Sequence, residues 1–152
     1  MKRIKSFEID HTKLEKGLYI SRVDRDIITF DLRMVKPNTP PFLENDGIHT
    51  FEHLMATYLR NSENKGNVIY VGPMGCRTGF YLIFKDLAPK VVISLVKNAL
   101  EFTSRYHGEI PGSTKIECGN YLDHDLSKPK NYAEDMLNVL SDWKCANLQY
   151  SV

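Results

Sequence analysis

Two histidines and a glutamate lie close together about a third of the way along the chain, at a spacing suited to metal chemistry. His49 and His53 are four residues apart with Glu52 between them, in a segment rich in leucine, methionine and alanine. Such a segment predicts a helix, with Asp46 as its N-cap and its end near Asn61. Residues four apart share one helix face, so both imidazoles can reach one ion. The pattern H-x-x-E-H is typical of a metal site with a carboxylate beside the bound group.

A third ligand would distinguish a metal site from a chance pairing of histidines. Cys118 precedes a glycine in a short polar segment, and a thiolate with two imidazoles suits zinc, iron or cobalt. Such a set leaves the fourth position open to water or substrate. Alternatively, Cys118 is a small buried thiol. Spacing cannot decide between the two, because Cys118 is far from the histidine helix in sequence. We expect His107 and His124 to be ordinary exposed side chains, since neither is spaced to join the helix motif.

Another cysteine lies in a glycine-rich turn. Cys76 is followed by Arg77, and backbone N–H groups together with a cation favour a thiolate, which can act as a base or nucleophile. A structural thiol at a tight turn is the alternative. Arg33, within a predicted strand, is either a surface residue or a fixed cation for a carboxylate or enediolate-like oxygen. His11 is either a substrate contact or exposed, and Cys145 has no polar cluster around it.

The overall composition is that of a soluble globular protein. The 152 residues suit one domain, and 42% of them are hydrophobic and 26% charged. The net charge is +1 without a polybasic run, so neither nucleic acid nor a membrane surface is expected as a partner. The first residues are charged and no stretch has transmembrane length. For these two reasons we expect a cytoplasmic protein. In that reducing compartment three cysteines, an odd number, favour ligands, a reactive thiol or buried residues over disulfides.

Hydrophobic periodicity predicts a mixed fold. Strands and helices do not alternate as regular βαβ units, so we expect an α+β fold in which an antiparallel sheet packs with helices as one domain, residues 1–152. Besides the histidine helix, the predicted elements are strands or extended segments at 6–11, 17–23, 27–35, 68–71, 80–84 and 116–121, and helices at 90–102 and 130–143.

Five blocks of the sequence, in this order, together resemble the S-ribosylhomocysteine lyase family, called LuxS. They span nearly the whole chain, and the block with the glycine-rich turn is the most specific. Residues 39–45, 71–72 and 122–125 look less like the family. The five blocks are residues 6–13, 31–38, 49–54, 72–82 and 117–120.

The resemblance implies a lyase that cleaves the thioether of S-ribosylhomocysteine, giving homocysteine and a dihydroxypentanedione, the precursor of the autoinducer-2 signal. It also implies an α+β homodimer with active sites at the subunit interface, and ferrous iron as the ion, with zinc or cobalt as possible substitutes. By position, the resemblance implies His49, His53 and Cys118 as metal ligands, Glu52 and Cys76 as acid/base groups, and Ser6, His11 and Arg33 as substrate contacts.

Two other functions compete with this interpretation. In a metallopeptidase of the H-x-x-E-H class, Glu52 would activate a metal-bound water to hydrolyse an amide. In that mechanism, Cys76 and a thiolate ligand have no evident use. A metal-binding module without catalysis would instead have a closed coordination sphere, and Cys76 would affect no reaction rate.

Overall fold

Four strands form one antiparallel sheet in the computed structural model, which describes residues 1–152. The strands are β1 (Gly17–Asp24), β2 (Ile27–Arg33), β3 (Val68–Pro73) and β4 (Gly79–Lys85). Their order across the sheet is β1-β2-β4-β3, so that β2 and β4 occupy the centre.

Three helices pack with this sheet, which confirms the expected α+β fold. They are α1 (Asn45–Asn61), α2 (Pro89–Ser104) and α3 (Ser127–Val139). A single cluster of 24 buried hydrophobic residues joins helices and sheet. None of the helices is both long and apolar enough to cross a membrane.

Helix α1 begins two residues earlier than the N-cap prediction requires. The backbone N–H of Ile48 donates to the carbonyl of Glu44 at 2.8 Å, so Glu44 is the N-cap. The prediction for Asp46 is therefore wrong. Its carboxylate lies in the first turn, where it accepts hydrogen bonds from the Gly47 N–H and from Lys128 at the start of α3, each at 2.8 Å. It thus ties the two helix N-termini together.

Three other predicted segments differ from the structure. Helix α3 starts at residue 127 rather than 130, because Pro129 lies in the first turn, where a backbone N–H is not needed. Residues 6–11 form a 3-10 turn and further turns rather than extended chain. Residues 116–121 are also a series of turns, and the Cys118 N–H donates to the Thr114 carbonyl at 2.9 Å.

The two faces of β2 carry different kinds of side chain. Phe30 and Leu32 belong to the hydrophobic core, and successive strand residues point to opposite faces. Asp31 and Arg33 therefore lie on the second face, yet both are buried, at 1% and 3% exposure. A covering layer on that face is needed to remove these two charged groups from water.

Candidate metal centre and thiol pocket

Four side chains from two parts of the chain meet beside α1. The ligand atoms of His49, His53, Cys118 and His124 all lie within 4.8 Å of one another. The Cys118 sulfur is 3.4 Å from Nε2 of His49 and 3.7 Å from Nε2 of His124. The structure thus brings together the three residues that were predicted as ligands, and it adds a fourth.

The outer nitrogens of the two helix histidines are held by backbone carbonyls. Nδ1 of His49 lies 2.8 Å from the Asp123 carbonyl oxygen, and Nδ1 of His53 lies 2.7 Å from that of Pro111. A carbonyl oxygen can only accept, so each Nδ1 must carry the proton. Each Nε2 therefore keeps its lone pair for an ion, the usual arrangement of metal-binding histidines.

Thr50 orients the third imidazole. Its hydroxyl donates to the Asp46 carbonyl at 3.0 Å and accepts the Asp125 N–H at 3.1 Å. Because the hydroxyl proton is used, Nδ1 of His124, 3.0 Å away, must donate to the same oxygen. His124 therefore also presents an unprotonated Nε2 to the cluster.

The donor set fits a divalent ion of the zinc, iron or cobalt type. Three imidazole nitrogens and one thiolate sulfur are characteristic ligands for such ions. Burial, followed by the neighbouring His49 and His53, lowers the pKa of His124. That shift favours the neutral ring that ligation needs.

The expectation that His124 is an ordinary exposed side chain is wrong. The turns between residues 111 and 125 bring this ring against both helix histidines, with centroids 3.9 Å from that of His49 and 4.8 Å from that of His53. The only sequence signal was its position six residues after Cys118. His124 supplies a fourth donor, whereas the sequence interpretation left the fourth position open to water or substrate.

The amphipathic pattern of α1 explains why its histidines face this loop. Ile48, Phe51 and Met55 are buried in the core, and they share one side of the helix. His49 and His53 are half-buried on another side, together with Glu52. The helix therefore carries the pair and the intervening carboxylate as the H-x-x-E-H pattern predicts.

A separate cavity of about 570 Å³ lies at the turn between β3 and β4, and we call it the thiol pocket. It brings together the predicted acid/base group Cys76 with the predicted substrate contacts Ser6, His11 and Arg33. Neither Glu52 nor any residue of the metal cluster lines it. Its remaining lining residues are Phe7, Pro37, Asn38, Phe42, Pro73, Met74, Gly75, Thr78 and Tyr81.

A tight turn presents Cys76 to this pocket. The sulfur lies 3.0 Å from the Thr78 hydroxyl oxygen. That oxygen accepts a hydrogen bond from Nη1 of Arg33 at 2.7 Å, so the Thr78 proton is free to be donated to the sulfur. The cation that reaches the thiol through Thr78 is Arg33, whereas the sequence pattern indicated Arg77.

Arg33 is a fixed cation rather than a surface residue. Its Nη2 donates to Oδ2 of Asp31 at 2.6 Å, and both side chains are almost wholly buried. Burial lowers the pKa of Arg33, but the charge and hydrogen bond of Asp31 raise it by more. Both cross-strand partners of Arg33 are glycines, Gly17 and Gly79, and a side chain at Gly17 would clash with the Trp143 ring.

The sequence is closely similar to proteins of known activity along its whole length. It is 48% identical to the S-ribosylhomocysteine lyase of Finegoldia magna, 46% to that of Borreliella burgdorferi and 43% to that of Phocaeicola vulgatus. These alignments cover 99% of this chain and at least 98% of each relative. The model of S-ribosylhomocysteinase (LuxS) matches residues 4–146. The chain therefore belongs to the S-ribosylhomocysteinase (LuxS) family.

Proposed function

We propose that this protein is an S-ribosylhomocysteine lyase that produces homocysteine and a dihydroxypentanedione, the precursor of autoinducer-2. The observation that carries the proposal is the 48% identity, over 99% of both chains, to a relative named for that activity. The cluster of three imidazoles and a thiol supports it, as does the second thiol in a substrate-sized pocket.

In this proposal ferrous iron is the resident ion, held by His49, His53 and Cys118, and zinc or cobalt can replace it. His124 is a further donor from the same cluster. Such an ion supplies Lewis-acid stabilisation of negative charge that develops on the sugar oxygens.

The chain's own groups move the protons. Breaking the thioether requires a carbonyl next to an acidic C–H, so the sugar carbonyl must first migrate along the chain. Cys76, as thiolate, takes a proton from one carbon and returns it to the next. Glu52 moves protons between oxygens. In the last step Glu52 takes a C–H proton, the C–S bond breaks, the sulfur leaves with the electron pair, and Glu52 gives the proton to the sulfur.

The thiol pocket holds the substrate. Ser6 and His11 line it beside Cys76, where a hydroxyl and an imidazole can bind sugar hydroxyls or the polar end of homocysteine. Arg33 also lines the pocket and is a permanent cation there, suited to a carboxylate or to an oxygen that gains negative charge.

We propose that the active protein is a homodimer with its active sites at the interface. The thiol pocket of one chain lacks that chain's own metal ligands and Glu52, although the reaction needs all of them around one substrate. Large apolar side chains are exposed near both sites, Phe7 at 65% in the pocket, and Ile116 at 98% and Leu122 at 79% beside Cys118. A second copy would cover them and complete each site.

Mixing two inactive variants tests the shared site. Cys76→Ala and Cys118→Ala are each expected to be inactive alone. After co-refolding, about a quarter of wild-type activity should return, because half of randomly mixed dimers are mixed and each has one intact site. A mixture of Cys76→Ala with Glu63→Gln, an exposed residue of no assigned role, should keep half of wild-type activity with or without subunit exchange, so it controls for activity lost during refolding. Continued inactivity of the first mixture, with exchange shown by mass, would contradict the shared site.

The activity itself is tested by release of free thiol from S-ribosylhomocysteine under anaerobic conditions, with metal analysis of the same sample. Release that depends on bound metal is expected. No release by metal-loaded protein, or hydrolysis of a peptide mixture instead, would overturn the assignment. All three cysteines are free, as in proteins of a reducing compartment, and we propose the cytoplasm as the site of the reaction.

A further inference from the structure

The end of the chain covers the second face of the sheet, behind the thiol pocket. Trp143 donates from Nε1 to the Leu18 carbonyl of β1 at 2.9 Å, and Leu148 is buried at 1% exposure. Trp143 lies just before the last 3-10 turn, Cys145–Leu148, and Leu148 is its final residue, so these contacts anchor the tail before and within that turn. They bring Tyr150, which lies outside the residues matched by the family model, onto the buried charges of β2.

Tyr150 contacts two neighbouring strands. Its ring stacks on that of Tyr19 at a centroid distance of 5.0 Å and an interplanar angle of 24°. Its hydroxyl donates to Oδ2 of Asp31 at 2.7 Å. Burial, followed by the charge of Asp31, raises the pKa of Tyr150, so the phenol keeps its proton and remains a donor.

The same carboxylate oxygen holds the guanidinium of the thiol pocket. Oδ2 of Asp31 accepts from Nη2 of Arg33 at 2.6 Å, Nη1 of Arg33 donates to Thr78 at 2.7 Å, and the Thr78 hydroxyl lies 3.0 Å from the Cys76 sulfur. A continuous series of hydrogen bonds therefore runs from the tail to the thiol. We propose that Tyr150 is a positioning residue for Cys76, acting through Asp31, Arg33 and Thr78.

The geometry of the ion pair explains why an additional donor matters. Oδ1 of Asp31 and Nε of Arg33 are both buried and without a hydrogen-bond partner. The pair is thus joined through one oxygen rather than through the two parallel bonds that fix an arginine–carboxylate pair most firmly. With a single contact, the guanidinium can pivot about Oδ2. Tyr150 fixes that oxygen from the other side and thereby fixes where Nη1 lies.

The inference deepens the proposed function, and it can be tested without substrate. Tyr150→Phe removes the hydroxyl and keeps the stacked ring, so the fold is retained. Tyr106→Phe is the matched control, because this half-buried tyrosine also loses one hydroxyl hydrogen bond, to the Glu109 carbonyl, away from the pocket. The readout is the rate at which iodoacetamide alkylates Cys76 at neutral pH, followed by peptide mass spectrometry. Cys145, also exposed, is the reference thiol in the same sample.

We expect Tyr150→Phe to slow Cys76 alkylation about threefold to tenfold. A direct hydrogen bond to a charged group changes an equilibrium by about tenfold or more, and this one acts on the thiol through three intervening residues. Cys145 should react at the wild-type rate in all three proteins, and kcat should fall with KM little changed.

Two results would overturn the inference. One is unchanged Cys76 alkylation in Tyr150→Phe. The other is equal slowing of Cys76 and Cys145, or of Tyr106→Phe and Tyr150→Phe, which would indicate a general loss of structure. Failure of thiol release from S-ribosylhomocysteine by the wild-type protein would instead refute the proposed reaction. It would not affect the difference in Cys76 alkylation rate between Tyr150→Phe and the wild type.

Discussion

The hydroxyl oxygen of Thr50 lies 3.0 Å from Nδ1 of His124, a residue 74 positions further along the chain. Thr50 lies between the two helix histidines in sequence and is fully buried at 0% exposure. One helix therefore supplies two of the clustered imidazoles and also the group that orients the third.

Replacing Thr50 by valine should weaken metal binding. The side chain keeps its shape but loses the hydroxyl that sets the His124 tautomer, and loss of such an outer partner typically costs about 10- to 100-fold in metal affinity. Competition with a chromogenic chelator measures the affinity. Thr50→Ser, which keeps the hydroxyl, should stay close to wild type. Equal affinities for the valine and serine variants would show that the hydroxyl does not position the ring.

Removing the Cys118 sulfur should remove the metal. Cys118→Ala deletes the single thiolate of the cluster, leaving three neutral imidazoles to hold a doubly charged ion. Metal per chain after anaerobic purification is the measurement. Cys145→Ala, which deletes an exposed thiol outside the cluster, should keep its full metal content. Full occupancy in Cys118→Ala would rule out ligation by this residue.

The two proposed acid/base groups should be separable from metal binding. Cys76→Ala and Glu52→Gln should each reduce kcat by roughly two to four powers of ten, the range for positioned proton transfer. Both variants should retain bound metal, because neither residue belongs to the cluster. Thiol release from S-ribosylhomocysteine and metal content, measured on the same sample, test whether turnover is lost while metal is retained. Near-normal turnover in a loaded variant would refute that residue's role.

Stability should fall in alkaline solution. Burial, together with the charge of Asp31, raises the pKa of Tyr150, Tyr19 and Tyr81 above their ordinary value of 10.0. Above that pH the unfolded chain releases these phenolic protons while the folded chain keeps them. The stabilising contribution is therefore full below about pH 10 and is lost as pH rises through the folded-state values.

Urea unfolding at a series of pH values tests this expectation. The free energy of unfolding should decline above pH 10 in the wild type, and less steeply in Tyr150→Phe, since one titrating group is gone while Tyr19 and Tyr81 remain. Tyr106→Phe serves again as the control and should follow the wild-type curve. Parallel curves for Tyr150→Phe and the wild type would show that Tyr150 titrates at its ordinary pKa.

Much of the fold follows from local patterns. The strands with alternating or continuous apolar residues and the helix carrying His49 and His53 appear where periodicity predicts them. Segments whose conformation depends on distant partners were predicted less well. Residues 116–121 look extended by composition, yet they fold into turns that carry Cys118 to the helix histidines.

By itself, the sequence determined that His49, Glu52 and His53 share one side of a helix and that Cys76 lies in a tight glycine-rich turn, because helical and turn geometry depend on residues only a few positions apart. Only the tertiary structure decided that Cys118 and His124 join the helix pair, that Arg33 is buried against Asp31, and that Tyr150 reaches this pair. These contacts join residues far apart in the chain, and only the packing of loops and tail onto the helix and sheet sets the distances between them.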